Sequence, residues 1–228
     1  MGLIENYNRL EFEIKKIASA AGQSLDRIKI ISVSKTFPVE IVQKAINEGI
    51  FLLGENKIQE AQRKIPLLKG DFSVHMIGHL QSNKAKEAVK LFDLIHSIDK
   101  VSTASKVNKE AAKIDKIQKI LVQVNASGEE SKNGLSPGDI FTFFEKISDF
   151  KNIKVLGLMN MAPFSSDETI IRGSFRTTKN LLDQVNSQFN LKLTELSMGM
   201  SSDYKIAIEE GSTMLRVGTA IFGKRTYL

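Results

Sequence analysis

The sequence predicts a single α/β domain over residues 1–228, a closed (β/α)₈ barrel of the TIM type with an extra N-terminal helix. Short apolar runs rich in β-branched residues alternate with amphipathic stretches, which is typical of a parallel sheet with crossover helices. Eight such runs fit within a length that is common for these barrels. The alternative is an open doubly wound sheet, but no G-x-G-x-x-G motif follows the first strand.

The extra helix comes first in the chain. Residues 3–21 place Leu3, Tyr7, Leu10 and Ile14 at spacings of three and four, which is the apolar stripe of an amphipathic helix. Because this helix precedes the first strand, we expect it to cap the bottom of the barrel or to pack beside it.

Strands and helices then alternate to the end of the chain. The strands are predicted at 28–34, 50–53, 74–77, 94–96, 120–124, 155–159, 195–197 and 214–217. The helices between them are predicted at 38–49, 56–68, 83–91, 100–114, 137–147, 168–188 and 202–210. Ser136 is the predicted N-cap of the helix at 137–147, with Pro137 at its first position.

Composition excludes several classes of function. The chain contains no cysteine, which excludes disulfides, thiolate metal sites and cysteine nucleophiles. No apolar run reaches the length of a membrane span and the N-terminus lacks an export signal, so we expect a cytoplasmic protein without a membrane partner. The net charge of +6 is spread among acidic residues without a recognition module. This pattern indicates no specific nucleic-acid partner and suits an anionic small ligand equally well.

Polar residues and glycines gather where the predicted strands end. The loops after strands two to six contain 54–56, 78–84, 96–99, 125–134 and 157–163. Lys35 stands where the first strand stops. Because ligands of α/β barrels bind at the carboxyl ends of the strands, Lys35 is a candidate for chemistry as well as an ordinary solvated lysine.

The last two loops predict an anion site. Ser197–Asp203 leads into a helix, and Gly218–Gly223 supplies a further glycine and a hydroxyl. The loops after strands seven and eight commonly bind phosphate in such barrels, although Ser201 or Ser202 would also serve as a plain helix cap. Arg216 lies within an apolar strand and must be paired, either with a structural carboxylate or with a ligand such as a heterocyclic ring nitrogen.

The three histidines do not form a metal site. His75 and His79 are four residues apart, but the stretch is a predicted strand and not an H-E-x-x-H helix. We therefore predict no metal, with His75 and His96 as core or strand-end residues and His79 as a residue that touches a ligand.

These features together resemble the pyridoxal phosphate homeostasis proteins (the YggS/PROSC family), whose fold is similar to the barrel domain of alanine racemase. The matching motifs run in order through practically the whole chain: Val33–Thr36, Gly54–Asn56, Ile77–Lys84, Asn125–Gly134, Gly157–Met159, Ser197–Ser201 and Arg216–Gly223.

The resemblance implies that pyridoxal 5′-phosphate (PLP) is the cofactor, bound as a Schiff base to Lys35. It implies a phosphate site made by Ser201, Gly218 and Thr219 with the backbone of Met200, and Arg216 at the pyridine nitrogen. The full set of implied cofactor-binding residues is Lys35, Asn56, His79, Ser197, Met200, Ser201, Arg216, Gly218 and Thr219.

The resemblance also implies a regulatory role in vitamin B6 and amino-acid homeostasis. Alanine racemases pair their lysine with a tyrosine from a second domain, whereas this chain ends soon after the eighth predicted strand, and only Tyr204 of its tyrosines lies near the site loops. We therefore expect a monomeric PLP carrier without dedicated catalysis, whose partners include PLP-requiring apo-enzymes. A PLP-dependent amino-acid racemase of low activity is the alternative.

Overall fold

A computed structural model shows a closed barrel of eight parallel strands in the order β1 to β8, with β8 paired to β1. It describes residues 2–129 and 132–223. The strands are β1 Lys29–Val33, β2 Leu52–Glu55, β3 Ser73–Met76, β4 Leu94–Ile98, β5 Gln118–Val124, β6 Ile153–Asn160, β7 Glu195–Met200 and β8 Met214–Val217. The predicted α/β barrel is confirmed, and each of the eight predicted strands overlaps one of these, the second being shifted by two residues.

The helices form a layer outside the barrel. They are α1 Leu3–Ala20, α2 Val39–Asn47, α3 Ile58–Lys64, α4 Ala85–Leu91, α5 Val101–Ala112, α6 Ile140–Ile147, α7 Glu168–Phe189, α8 Tyr204–Glu209 and α9 Thr219–Phe222. The large core lies between strands and helices. A smaller apolar cluster fills the inside of the barrel: Ile31, Leu94, Leu121, Met159 and Met214.

One glycine allows two strands to approach within the barrel wall. A Cβ atom added to Gly157 on β6 would lie 1.8 Å from the carbonyl oxygen of Glu195 on β7. No other residue fits this contact, so Gly157 is required for the pairing of β6 with β7.

The N-terminal helix packs beside the barrel and does not cap its bottom. The Asn6 side-chain amide of α1 donates to the Ile221 carbonyl of α9 at 3.0 Å, and Glu13 accepts from the Tyr204 hydroxyl of α8 at 2.7 Å. Helix α1 therefore occupies the outer layer next to α8 and α9.

Some helix ends differ from the sequence predictions. Residues 137–139 form a 3₁₀ turn ahead of α6, with Ser136 at its N-cap position and Pro137 in its first turn, as predicted. The Ser136 hydroxyl donates to the Asp139 carboxylate and accepts no backbone N–H. The sequence also missed α9, a single short turn after β8. Residues 130 and 131 of the predicted polar loop, and Tyr227, lie outside the described residues. Within the described ranges, every helix is too short or too polar to cross a lipid bilayer.

Candidate functional site at the carboxyl end of the barrel

The predicted site residues lie where neighbouring strands end, at one end of the barrel. Val33 of β1 pairs with Gly54 of β2, so Lys35 and Asn56 each follow a paired residue by two positions. On the other side, a Cβ atom added to Gly218 would lie 3.4 Å from Val33. The strand ends from β7 through β8, β1 and β2 to β3 therefore form one continuous rim.

Lys35 begins a tight turn after β1 and is half-buried. The next residue, Thr36, has a φ of 68°, a left-handed conformation that is costly for a β-branched side chain. The Thr36 N–H donates to the Glu60 carboxylate of α3 at 2.5 Å, and the Ser34 carbonyl accepts from the Lys64 ammonium at 2.9 Å. Helix α3 thus holds the backbone on both sides of Lys35.

A buried charge cluster lies behind this turn. The Lys64 ammonium contacts the Glu55 carboxylate at 2.9 Å and the Glu60 carboxylate at 2.8 Å, and the Ser34 hydroxyl donates to Glu55 at 2.6 Å. Burial raises the pKa of Glu55, and its contacts with Ser34 and Lys64 oppose this rise. Because Lys64 and Glu55 are buried and Glu60 is partly exposed, the cluster ties the turn from inside the protein to β2 and α3.

Arg216 is buried on β8 and binds oxygens of two neighbouring strands. One guanidinium nitrogen, Nη1, donates to the Ser197 carbonyl at 2.7 Å and to the Ser197 hydroxyl at 2.6 Å. The other, Nη2, donates to the Asn160 carbonyl at 2.9 Å. Within the part of the chain that the structure describes, no carboxylate forms an ion pair with this guanidinium, so its charge is solvated only by neutral oxygens.

Arg216 remains charged although it is buried. Desolvation lowers the pKa of Arg216 to about 10, and the Asp203 carboxylate opposes the shift. The guanidinium is therefore still protonated at neutral pH. A buried cation whose described hydrogen-bond partners are all neutral oxygens favours an anionic or electron-rich ligand atom beside it.

His96 and His75 are buried, as predicted, but they are hydrogen-bonded to the site. The two rings contact each other at 3.0 Å, and Nδ1 of His96 contacts the Ser197 hydroxyl at 2.8 Å. Burial lowers the pKa of His75 to about 4 and that of His96 well below its ordinary value, so both rings are neutral at pH 7.

The residues predicted to bind phosphate lie at the carboxyl end of β7 and in the turn that follows it. Gly199 has a φ of 89°, and a Cβ atom there would lie 2.6 Å from the Ala207 side chain. Ser201 is exposed at the surface, as is Thr219 after β8. The Met200 N–H, however, already donates to the Asp203 carboxylate at 2.6 Å. Asp203, and neither Ser201 nor Ser202, is thus the residue directly before α8.

Asn56 and His79 line the same cleft at the other side of the rim. A Cβ atom added to Gly78 would lie 2.1 Å from the Asn56 carbonyl oxygen, so only glycine allows this approach. His79 is exposed, with its Nδ1 atom 3.9 Å from the Asp99 carboxylate. A cleft of about 230 Å³ opens between Asn56, His79 and Lys84.

Sequence reasoning missed the groups that support the site. Glu55 and Lys64 are nine positions apart in different elements, so no local sequence pattern pairs them. Ser197 was predicted to bind the cofactor, but it is fully buried and contacts Arg216 and His96. No cluster of potential metal ligands occurs among residues 2–129 and 132–223.

Comparisons with known proteins give a consistent result. The family described as "Alanine racemase, N-terminal domain" matches residues 6–226. The pyridoxal phosphate homeostasis protein of Aquifex aeolicus (strain VF5) is 39% identical over 228 residues, which is 100% of both chains. That of Vibrio alginolyticus is 35% identical over 98% of this chain and 97% of its own.

A solved structure agrees with these sequence relatives. PipY of Synechococcus elongatus, solved with PLP bound, superposes with a TM-score of 0.81 at 34% identity, covering 92% of this chain and 99% of PipY. The match therefore extends to nearly all of both chains in sequence and in fold. The chain belongs to the pyridoxal phosphate homeostasis protein family, whose barrel is that of the alanine racemase N-terminal domain.

Proposed function

We propose that residues 1–228 form one PLP-binding domain that takes part in PLP and amino-acid homeostasis without dedicated catalysis. The observation that carries this proposal is a half-buried lysine at the same end of the barrel as a buried arginine, whose hydrogen-bond partners among the described residues are neutral oxygens. The amine is a nucleophile for an aldehyde, and the guanidinium suits an electron-rich ring nitrogen. The relative PipY, solved with PLP bound, supports the choice of ligand.

Lys35 would hold the cofactor covalently. Its Nζ atom would attack the aldehyde carbon of PLP, and a C=N bond would form as the aldehyde oxygen leaves as water, which gives a Schiff base. The rigid turn around Lys35 supports this role, because Glu60 and Lys64 fix the backbone on both sides of it. Asn56 and His79 would lie beside the cofactor.

The phosphate would lie between the ends of β7 and β8. Exposed hydroxyls of Ser201 and Thr219, and the close approach allowed by Gly218, suit an anion there. The Met200 N–H could contribute only after it leaves Asp203. Ser197 would act indirectly, through its hydrogen bond with Arg216.

A carrier role fits the surroundings of the lysine better than an amino-acid racemase does. Two-base proton transfer needs a second acid–base group opposite Lys35. Tyr204, the tyrosine nearest the site loops in sequence, donates its hydroxyl to Glu13 of α1, and burial raises its pKa to about 12. A cytoplasmic location, a monomeric state and delivery of PLP to apo-enzymes belong to the same proposal.

The test is the visible absorbance of the protein mixed with PLP. We expect an absorbance band that borohydride makes irreversible and that Lys35→Ala loses, whereas Lys57→Ala, an exposed lysine near the same rim, retains it. A wild-type protein that stays colourless with added PLP would overturn the proposal.

Catalysis is tested separately. We expect the PLP-loaded protein to leave the α-hydrogen of common amino acids unexchanged in deuterium oxide. Rapid exchange that depends on Lys35 would favour the racemase alternative.

A further inference from the structure

A chain of four buried side chains crosses the inside of the barrel beneath the candidate site. The Arg216 guanidinium on β8 contacts the Ser197 hydroxyl at 2.6 Å, and this hydroxyl contacts Nδ1 of His96 on β4 at 2.8 Å. Nε2 of His96 then contacts Nδ1 of His75 on β3 at 3.0 Å. Because β4 and β8 lie on opposite sides of an eight-stranded barrel, the chain spans its interior.

Each hydrogen bond in this series of side chains is donated in the same direction, away from Arg216. A guanidinium only donates, so the Ser197 oxygen accepts from it. The Ser197 hydroxyl is fully buried, and Nδ1 of His96 is the acceptor that the described residues offer for its single hydrogen. A buried hydroxyl hydrogen without an acceptor is costly, so Nδ1 of His96 accepts it.

The tautomers of both histidines follow from this direction. Since Nδ1 of His96 is an acceptor, the hydrogen of its neutral ring lies on Nε2 and is donated to Nδ1 of His75. His75 then carries its own hydrogen on Nε2. The neutral state that this requires agrees with the lowered pKa of both rings, to which burial contributes most.

The consequence concerns the Ser197 oxygen. With its hydrogen directed at His96, the lone pairs of this oxygen face the Arg216 guanidinium and fix the plane of the guanidinium, together with the Asn160 carbonyl. Without an acceptor at the Nδ1 position, the hydroxyl hydrogen is free to turn toward the cation, and this support is lost.

We propose that His96 is a positioning residue that orients Arg216 toward the cofactor by accepting the Ser197 hydrogen. This inference rests on the proposed function, because it is bound PLP that Arg216 would face. His96 itself touches no cofactor in this proposal, and it acts only through Ser197.

The tautomers are tested first, in the protein without PLP. Nitrogen NMR of protein labelled with ¹⁵N-histidine distinguishes the two neutral forms of each ring. We expect His96 and His75 both to carry the hydrogen on Nε2 near pH 7. A hydrogen on Nδ1 of His96 would overturn the inference, whatever the protein does with PLP.

Two amide variants of His96 then distinguish a role in orienting Arg216 from a role in packing. In His96→Asn the side-chain oxygen can occupy the Nδ1 position and still accept from Ser197. In His96→Gln the polar end reaches the Nε2 position and leaves Nδ1 without a replacement. We expect His96→Gln to weaken PLP binding about tenfold, the loss of one buried hydrogen-bond partner, and His96→Asn to remain within about threefold of wild type.

The outcomes are distinct. Equal losses in both variants, or a larger loss in His96→Asn, would mean that His96 only fills space, and would overturn the inference. A wild-type protein that binds no PLP would overturn the proposed function and the assigned role together. If neither variant folds, as judged by far-UV circular dichroism, the wild-type NMR tautomers alone decide the question.

Discussion

Replacing Lys64 with methionine tests whether the buried charge cluster supports the turn that carries Lys35. The Lys64 ammonium has three partners: the Ser34 carbonyl, the Glu55 carboxylate and the Glu60 carboxylate. Its side chain is 5% exposed and that of Glu55 is 1% exposed, whereas Glu60 is 26% exposed. Methionine has a similar length without charge, so the variant removes the cation and leaves little cavity.

The expected loss can be counted from these partners. Two buried acceptors, on Ser34 and Glu55, lose a donor, at roughly 1–3 kcal/mol each. Glu60 reaches water and adds little. The sum of about 2–6 kcal/mol brackets the 3–5 kcal/mol that is typical when one partner of a buried ion pair is removed, so we expect the free energy of unfolding to fall by about 3–5 kcal/mol.

The measurement is urea unfolding followed by far-UV circular dichroism, beside a matched control. Lys44→Met removes an exposed lysine that pairs with Glu48 at 3.8 Å, and should change the free energy of unfolding by less than about 1 kcal/mol. The double variant Glu55→Leu with Lys64→Met removes both buried charges and should lose less than Lys64→Met alone. If Lys64→Met proves as mild as Lys44→Met, the cluster does not support the turn.

Three further predictions concern the barrel wall, the pH dependence of stability and the carboxyl end of β7. Gly157→Ala forces a Cβ atom against the Glu195 carbonyl and should prevent folding or lower the melting temperature sharply. Gly173→Ala, in the second turn of α7 where an added Cβ atom has open space, should not lower the melting temperature. Because the pKa of His75 falls to about 4 on folding, its contribution to stability is complete above about pH 6.5 and is lost toward pH 4 at up to about 1.4 kcal/mol per pH unit. Urea titrations across this range should show that the free energy of unfolding declines less steeply with falling pH for His75→Asn than for the wild type. Equal slopes would contradict a buried, neutral His75. Gly199→Ala strains a φ of 89° near the end of β7 and should weaken phosphate and PLP binding in equilibrium titrations at least tenfold. Unchanged affinity would exclude the end of β7 from the site.

The sequence alone was sufficient to predict the barrel and to place residues at the rim of the candidate site. Period-2 and buried apolar runs mark strands locally, and the chain order of strands in a barrel is also their spatial order. Lys35, Asn56 and Gly218 could therefore be assigned to one end of the fold from their positions after strands. Arg216 could be assigned to the same end because it lies next to the last residue of the eighth strand. The motifs around them were also specific enough to indicate the family.

Only the tertiary structure decided which groups support that rim. Glu55 and Lys64 meet across two elements, and Arg216 reaches His96 through Ser197 across the barrel. Helix α1 had two possible positions, and only its contacts with α8 and α9 selected one. The physical reason is the same in each case. Local periodicity determines which face of an element is buried, but the partner of a buried polar group is fixed by packing between elements distant in sequence, where leaving such a group unpaired is costly.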